Sequence, residues 1–390
     1  MSEIEIKGRI FGEGPVVVLR VEDGRIVAIE PQPSDSAGFE ARSPAIAPGF
    51  CDLQINGFHG VDFNQHGPLA QSDFRKAASA LWAEGCTGFL PTLITNSTAA
   101  IEKRFLQLRE ILNSDAQLAA SVLGFHLEGP FISPEDGYRG AHERQFVCAP
   151  NIEIYEALQA AAGNRIAILT LSPEWDDANA LITTAVADGS RVSIGHSMAT
   201  GKQINDAVDH GASLVTHFGN GVAQHLPRHP NVMWEQLGSD NLACSLIADG
   251  FHLPDSVLKT VIGVKGNQAF LVSDSTALAG LMPGDYETHV GGKVTLTENG
   301  KLHLQDQPTV LAGSAQSLRH CVEHLANRGI VSLADAWRRA SSIPAALIGC
   351  SQHASIEVGA YANVVQYEYR GRRLEIERTW LSGFEVYAKE

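Results

Sequence analysis

The segment GFHLEGPF (124–131) decides how the rest of the chain is read. An apolar run (119–125) stops there and a Gly-Pro turn begins, so Glu128 stands at the mouth of a strand rather than in its middle. Three later segments repeat that arrangement of an apolar run followed by polar chemistry. They are VSIGHS (192–197), LVTHFGN (214–220) and LVSDS (271–275), and they carry His196, His217 and Asp274. Four strand-end side chains of these types, spread along the sequence, are expected to meet around one metal ion.

Working outward, residues 47–350 alternate strand-like apolar runs with amphipathic helix patterns. The runs are 49–56, 88–95, 119–128, 165–172, 191–196, 212–218, 243–249 and 269–274. The helices are expected over 73–84, 97–112, 152–162, 177–188, 200–210, 255–264, 315–328 and 333–347. Many end at glycine (Gly85, Gly163, Gly189, Gly211, Gly266, Gly329), as C-terminal caps often do. Eight apolar strands alternating with helices imply parallel βα units and an α/β fold, a (β/α)8 TIM-like barrel. A doubly wound open sheet is the alternative, weakened because no G-x-G-x-x-G follows a first strand. In a barrel the chemistry belongs at the C-terminal strand ends, and a polar or ionisable group falls at nearly every one of them here.

The two ends of the chain lack helix periodicity. Alternating or β-branched runs (4–10, 16–21, 26–29) surround an Asp23-Gly24 turn, and 362–369, 373–378 and 383–387 have the same texture. Neither end alone suffices for a core. The expectation is a small β-sandwich domain built from 1–46 plus 351–390, with the barrel (47–350) inserted between.

Composition bounds the function. The 390 residues are 44% hydrophobic and 19% charged, as in a well-cored globular protein. A formal charge of -15 argues against nucleic acid or an acidic membrane as partner, since both reward basic patches. Six scattered cysteines without a C-x-x-C pair argue against a disulfide framework or a zinc knot. No signal-peptide pattern and no apolar run of the ~20 residues a membrane span needs is present, so a cytoplasmic protein is expected.

Two histidines and a carboxylate form a normal zinc set that leaves a position open. The competing reading is that His196 and His217 are satisfied core histidines, cheap in a chain with fifteen. Asp274 could be a turn or N-cap aspartate. Beside three candidate ligands it reads instead as a general base that returns its proton to a leaving group. His320 and His324 have helical i, i+4 spacing, but Cys321 stands where a metalloprotease needs glutamate, and a solvated helix face is the better reading. The Gly-rich pieces at 56–57 and 219–221 read as turns.

At this point the chain resembles the N-acetylglucosamine-6-phosphate deacetylase family of the amidohydrolase superfamily. The resemblance rests on HLEGPF (126–131), RGAH (139–142), GHS (195–197), THFGN (216–220), IADGFH (247–252) and VSDST (272–276), with PGFCDLQING (48–57), PTLIT (91–95) and LAGS (311–314) in support. It implies a barrel with a β domain from both termini. It also implies hydrolysis of the acetamide of an N-acetyl amino sugar phosphate, above all N-acetylglucosamine 6-phosphate, to the free amine and acetate. Glu128, His196 and His217 match the family's metal ligands, Asp274 its acid/base, and His142 a residue contacting the sugar and the amide carbonyl. Asn220, Gly221, Arg228 and His252 match substrate-binding positions. Arg228 and His252 would take the phosphate, one of them donated by a neighbouring subunit. Leu311, Ala312 and Gly313 match a loop closing over the sugar.

The superfamily often opens its site with H-x-H on the first strand. Here Gln54 and Asn56 replace it, and amides are poor ligands beside imidazole, so one divalent ion per subunit is expected. Zinc suits the set, with iron or another divalent ion as alternatives. The resemblance implies a homodimer. The stretch from Gly221 through HLPRHP (225–230) departs from the family pattern, which leaves another N-acetylhexosamine, the galactosamine 6-phosphate or an unphosphorylated sugar, as the rival substrate. A metal-free, inactive scaffold is the rival from another class.

Overall fold

The eight apolar runs form strands because each has a face to bury on both sides. In the computed structural model, which describes residues 4–32, 44–288 and 292–390, they are β1 (Phe50–Ile55), β2 (Cys86–Ile94), β3 (Phe125–Glu128), β4 (Ile166–Leu171), β5 (Arg191–Ile194), β6 (Ala212–Val215), β7 (Ala243–Ile247) and β8 (Ala269–Val272). They pair in parallel in chain order. The ring closes between β8 and β1. There Asp274 N donates to Gln54 O (2.9 Å), Asn56 N donates to Ser275 O (2.9 Å), and Ile55 and Ser275 form a parallel bridge. Asp52 adds a side-chain seam, accepting from Ser273 N (3.1 Å) and Ser273 Oγ (2.5 Å) across 221 residues of sequence.

Strand alternation sorts the core. Phe125 and Leu127 on β3, and Leu169 and Leu171 on β4, join the large cluster shared with the helices. Their neighbours His126, Glu128, Ile168 and Thr170 take the other face. Ile168 packs there with Leu53, Leu90, Leu214 and Phe270 in a separate apolar cluster inside the barrel. The six glycines expected to close helices all have positive φ.

The terminal strands join one seven-stranded sheet in the order Phe384–Ala388, Arg373–Leu381, Val364–Arg370, Ala45–Pro48, Ile4–Ile10, Val16–Glu22, Arg25–Pro31. All its pairs are antiparallel except that between Ile4–Ile10 and Ala45–Pro48. Ile6, Leu19, Val21 and Ile26 share its core with Val364 and Trp380, so both chain ends contribute to one apolar layer. Ala45–Pro48 straddles residue 47 and runs directly into β1. Residues 1–3 and 33–43 of the expected N-terminal segment lie outside the described residues.

Two local expectations are corrected and two elements are added. The apolar run 119–128 is not one strand. Ala116–Ser121 is a helix whose N-cap, Asp115, accepts from Gln117 N and Leu118 N, and only Phe125–Glu128 is strand. The helix expected over 333–347 divides into Leu333–Arg339 and Ser342–Leu347, because Pro344 has no N–H to give the carbonyl one turn back. A helix at Val232–Gly238, capped by Asn231, and a three-stranded sheet (Gly284–Thr288, Gly292–Leu296, Leu302–Leu304) were not foreseen. Among the described residues, no helix is long and apolar enough to cross a membrane.

Candidate metal centre and catalytic cavity

Glu128, His196 and His217 come from the C-terminal ends of β3, β5 and β6 and converge. Glu128 Oε1 lies 3.2 Å from His196 Nε2 and 3.0 Å from His217 Nε2, and the two imidazole nitrogens are 3.1 Å apart. All three side chains are buried. A tetrahedral ion with ligand bonds of about 2.0–2.1 Å separates its ligand atoms by roughly 3.3–3.4 Å. The three donor atoms already stand near that spacing, so residue types and geometry both fit a divalent ion.

The strand-end backbone is bent to aim them. His196 (φ 49°), His217 (φ 31°) and Asp274 (φ 47°) all occupy the left-handed region, a conformation that non-glycine residues hold at a cost and that concentrates at functional sites. His196 is fixed further by Nδ1, 3.0 Å from Tyr138 O. With Nδ1 bonded to a carbonyl it is protonated there, leaving Nε2 free as a ligand atom. Glycines crowd the same ring. A Cβ at Gly221 would lie 2.8 Å from His196 Nδ1, and one at Gly140 3.1 Å from Cε1. Gln54 completes the shell by donating from Nε2 to Glu128 Oε1 (3.0 Å), so its amide orients the carboxylate. Beneath, His126, Thr170, Thr216 and Ser193 form a buried chain of hydrogen bonds at 2.6–2.7 Å.

The electrostatics follow from burial and partners. Burial alone would raise Glu128, but the His196 and His217 imidazoles beside it hold it well below the usual carboxylate range. Burial opposes charge on His217, yet the Glu128 carboxylate raises it. Asp274 is pushed up to about 7 by burial and then by the Glu128 charge; its Oδ1 accepts from Asn56 Nδ2 at 2.7 Å. His142 is pushed down to about 3, first by burial and then by His196, whose ring centroid is 4.4 Å away.

One cavity brings Glu128, His142, His196, His217 and Asp274 together with Ala312 and Gly313 of the expected closing loop. Leu311, Asn220, Gly221, Arg228 and His252 do not line it. Asn220 folds back on the turn after β6, its Nδ2 donating to His217 O at 3.3 Å. Arg228 is exposed, and His252 Nδ1 is held by Asp249 Oδ2 at 2.7 Å. The cavity wall adds residues the sequence reading did not single out: Asp62, Asn64, Thr276, Thr288 and Leu302. After β1, Asp62 ends a short hairpin (Gly57–Phe58 with Val61–Asp62) and Asn64 follows it, bonded to Thr92 O (2.9 Å) and Ile94 N (3.0 Å). Asp62 and Asn64 lie shortly after the recognised PGFCDLQING stretch, which is the one sequence cue to them. Thr288 and Leu302 belong to the unforeseen small sheet and had none. No lysine or arginine lines this cavity among the described residues.

No family model matches the chain. Known proteins do. An N-acetylglucosamine-6-phosphate deacetylase of Danio rerio is 31% identical over 390 residues, covering 95% of this chain and 93% of the relative. An N-acetylgalactosamine-6-phosphate deacetylase of Escherichia coli O157:H7 is 28% identical, covering 94% and 93%. The solved structure of N-acetylglucosamine-6-phosphate deacetylase from Pasteurella multocida superposes with a TM-score of 0.85 at 27% identity, covering 98% of this chain and 99% of that one. Fold, buried Glu/His/His cluster and full-length similarity agree, and the chain belongs to the N-acetylglucosamine-6-phosphate deacetylase family.

Proposed function

We propose that the chain hydrolyses the acetamide of N-acetylglucosamine 6-phosphate to glucosamine 6-phosphate and acetate. The observation that carries this is the meeting of three convergent ligand atoms with Asp274 and His142 over one cavity. Glu128, His196 and His217 would hold one divalent ion, with zinc matched to a set of two imidazoles and one carboxylate. Bound there, the ion supplies Lewis acidity toward the acetyl carbonyl and lowers the pKa of water.

The chain's own groups do the rest. Asp274 takes a proton from the attacking water and returns it to the departing amine nitrogen. Its burial beside the donor set raises it, the direction that helps a carboxyl hand its proton on after accepting it. Asn56 orients the carboxylate through the 2.7 Å hydrogen bond. His142 stays uncharged and donates to the carbonyl oxygen as negative charge develops there. Ala312 and Gly313 cover the sugar.

The phosphate needs cations that the cavity wall lacks. Arg228, exposed on the 221–230 segment, and His252 are assigned to it, with Asn220 and Gly221 beside the sugar and Leu311 behind the closing loop. An exposed Arg228 would serve such a site from a neighbouring subunit of a homodimer, and a cytoplasmic enzyme is the reading we adopt. The terminal segments form a separate β domain and 47–350 the catalytic barrel. The galactosamine epimer is the second reading, favoured by the relative of that name and by the atypical 221–230 segment. Incubation with each 6-phosphate tests the assignment: equal release of acetate and free amine from the glucosamine form is expected, and release only from its epimer would replace it.

A further inference from the structure

We infer that Thr95 is a positioning residue that fixes His142 as the Nε2–H tautomer. The inference rests on the oxyanion role just given to His142. Thr95 closes the PTLIT segment, immediately after β2, and His142 lies 47 residues later on the loop after β3. The two meet just behind the cavity, which His142 lines, and both side chains are almost wholly buried. His142 Nδ1 is 2.8 Å from Thr95 Oγ1 and 3.4 Å from Thr95 N. A backbone N–H can only donate, so Nδ1 facing it is an acceptor, and the hydroxyl completes the pair by donating as well. Neutral imidazole carries one N–H, and an accepting Nδ1 puts that proton on Nε2. That is the tautomer able to donate to an oxygen in the cavity. The opposite tautomer would present a lone pair to the developing negative charge.

The neighbouring motif makes room for this contact. Gly129, the glycine of HLEGPF, has φ 85°, and a Cβ there would lie 2.1 Å from Thr95 Oγ1. Only glycine lets the turn after Glu128 pass over the hydroxyl that sets His142. The edge-on packing of His142 against His196, with ring planes 67° apart, limits rotation about the remaining axis. The residue following the metal ligand and the last residue of PTLIT therefore serve the orientation of one imidazole.

The test uses zinc-loaded enzyme with labelled histidine, in which long-range proton–nitrogen correlation spectra distinguish the tautomers. The His142 signals are assigned by their loss in His142→Asn. Wild type and Thr95→Ser should both show a pure Nε2–H pattern. Thr95→Val, left with only the longer backbone contact, should show a mixed pattern. Its kcat should fall at least tenfold, toward the roughly 10²–10³ of a lost oxyanion donor, with KM near wild type and Thr95→Ser close to normal. An Nδ1–H pattern in wild type overturns the inference, as does a Thr95→Val enzyme with unchanged spectrum and kcat. The spectra of wild type and Thr95→Ser decide the matter if the valine variant does not fold. They also decide it if the chain releases no acetate, a result that would count against the proposed reaction instead.

Discussion

A single methyl group added at Gly221 should loosen the metal centre without replacing any donor atom. Gly221 has φ 62°, and its added Cβ would meet His196 Nδ1 at 2.8 Å, Cε1 at 3.0 Å and Cγ at 3.1 Å. The left-handed backbone costs a non-glycine residue about 1–2 kcal/mol. Crowding a packed ring adds about 1–3 kcal/mol. The His196 ring has little room to retreat, since Nδ1 is tied to Tyr138 O and Gly140 also lies against it. If the sum, about 2–5 kcal/mol, appears as displacement of Nε2 from the donor triangle, metal affinity falls roughly 30- to 4,000-fold at about 1.4 kcal/mol per tenfold. Gly189→Ala is the control. Gly189 has φ 89°, but a Cβ there meets nothing within 4 Å, so only the backbone term remains. Metal content after dialysis, followed by acetate release with and without added zinc, reads the difference. Gly221→Ala should lose metal and recover activity at high zinc, whereas Gly189→Ala should keep its metal and lose only thermal stability. Equal metal retention in the two variants would refute the reasoning.

Other perturbations separate the roles. Asp274→Asn keeps the three donor atoms and can still accept from Asn56, so it should retain metal while kcat falls by roughly 10⁴, the upper range for a group acting as both base and acid; near-normal turnover would remove Asp274 from the mechanism. Glu128→Gln removes the one carboxylate donor and should purify with little metal, so full occupancy in elemental analysis would exclude Glu128 as a ligand. Asp52 tests the barrel seam. Burial pushes it up to about 6 from an ordinary 3.8, against the lowering hydrogen bonds of Ser273. The folded chain therefore holds this proton more tightly than the unfolded chain, and the associated stability, complete below the unfolded value, is lost as pH rises through about 6. Asp52→Asn should melt higher than wild type at about pH 8, with the gap narrowing toward about pH 5. A gap independent of pH would contradict the assignment.

The barrel was legible because its strands are buried on both faces and its helices are one-sided, so two periods alternate visibly along the chain. The donor set was legible because strand ends in a parallel barrel share one rim, which turns a sequence position such as His196 into a place in space. What failed was local. Helix Ala116–Ser121 continues into the apolar stretch of the strand that follows it, and Asp115, its N-cap, is the cue to where the helix begins. The break between Leu333–Arg339 and Ser342–Leu347 was signalled by Pro344. The cavity wall was least readable. Thr288 and Leu302 reach the site through a small sheet without a strong apolar pattern, and Asn64 through hydrogen bonds to β2 that no spacing rule encodes. The Asp52–Ser273 seam joins residues 221 apart in two of the quoted motifs, and no spacing rule pairs them.

The central claim is a single metal ion held by Glu128, His196 and His217, with Gln54 serving as an orienting amide rather than a ligand. Titrating chelator-stripped enzyme with zinc, while measuring acetate released from N-acetylglucosamine 6-phosphate, tests it most directly. Activity that rises linearly and saturates at one equivalent per chain is predicted. Saturation only at two equivalents, or full activity in the stripped enzyme, would contradict it.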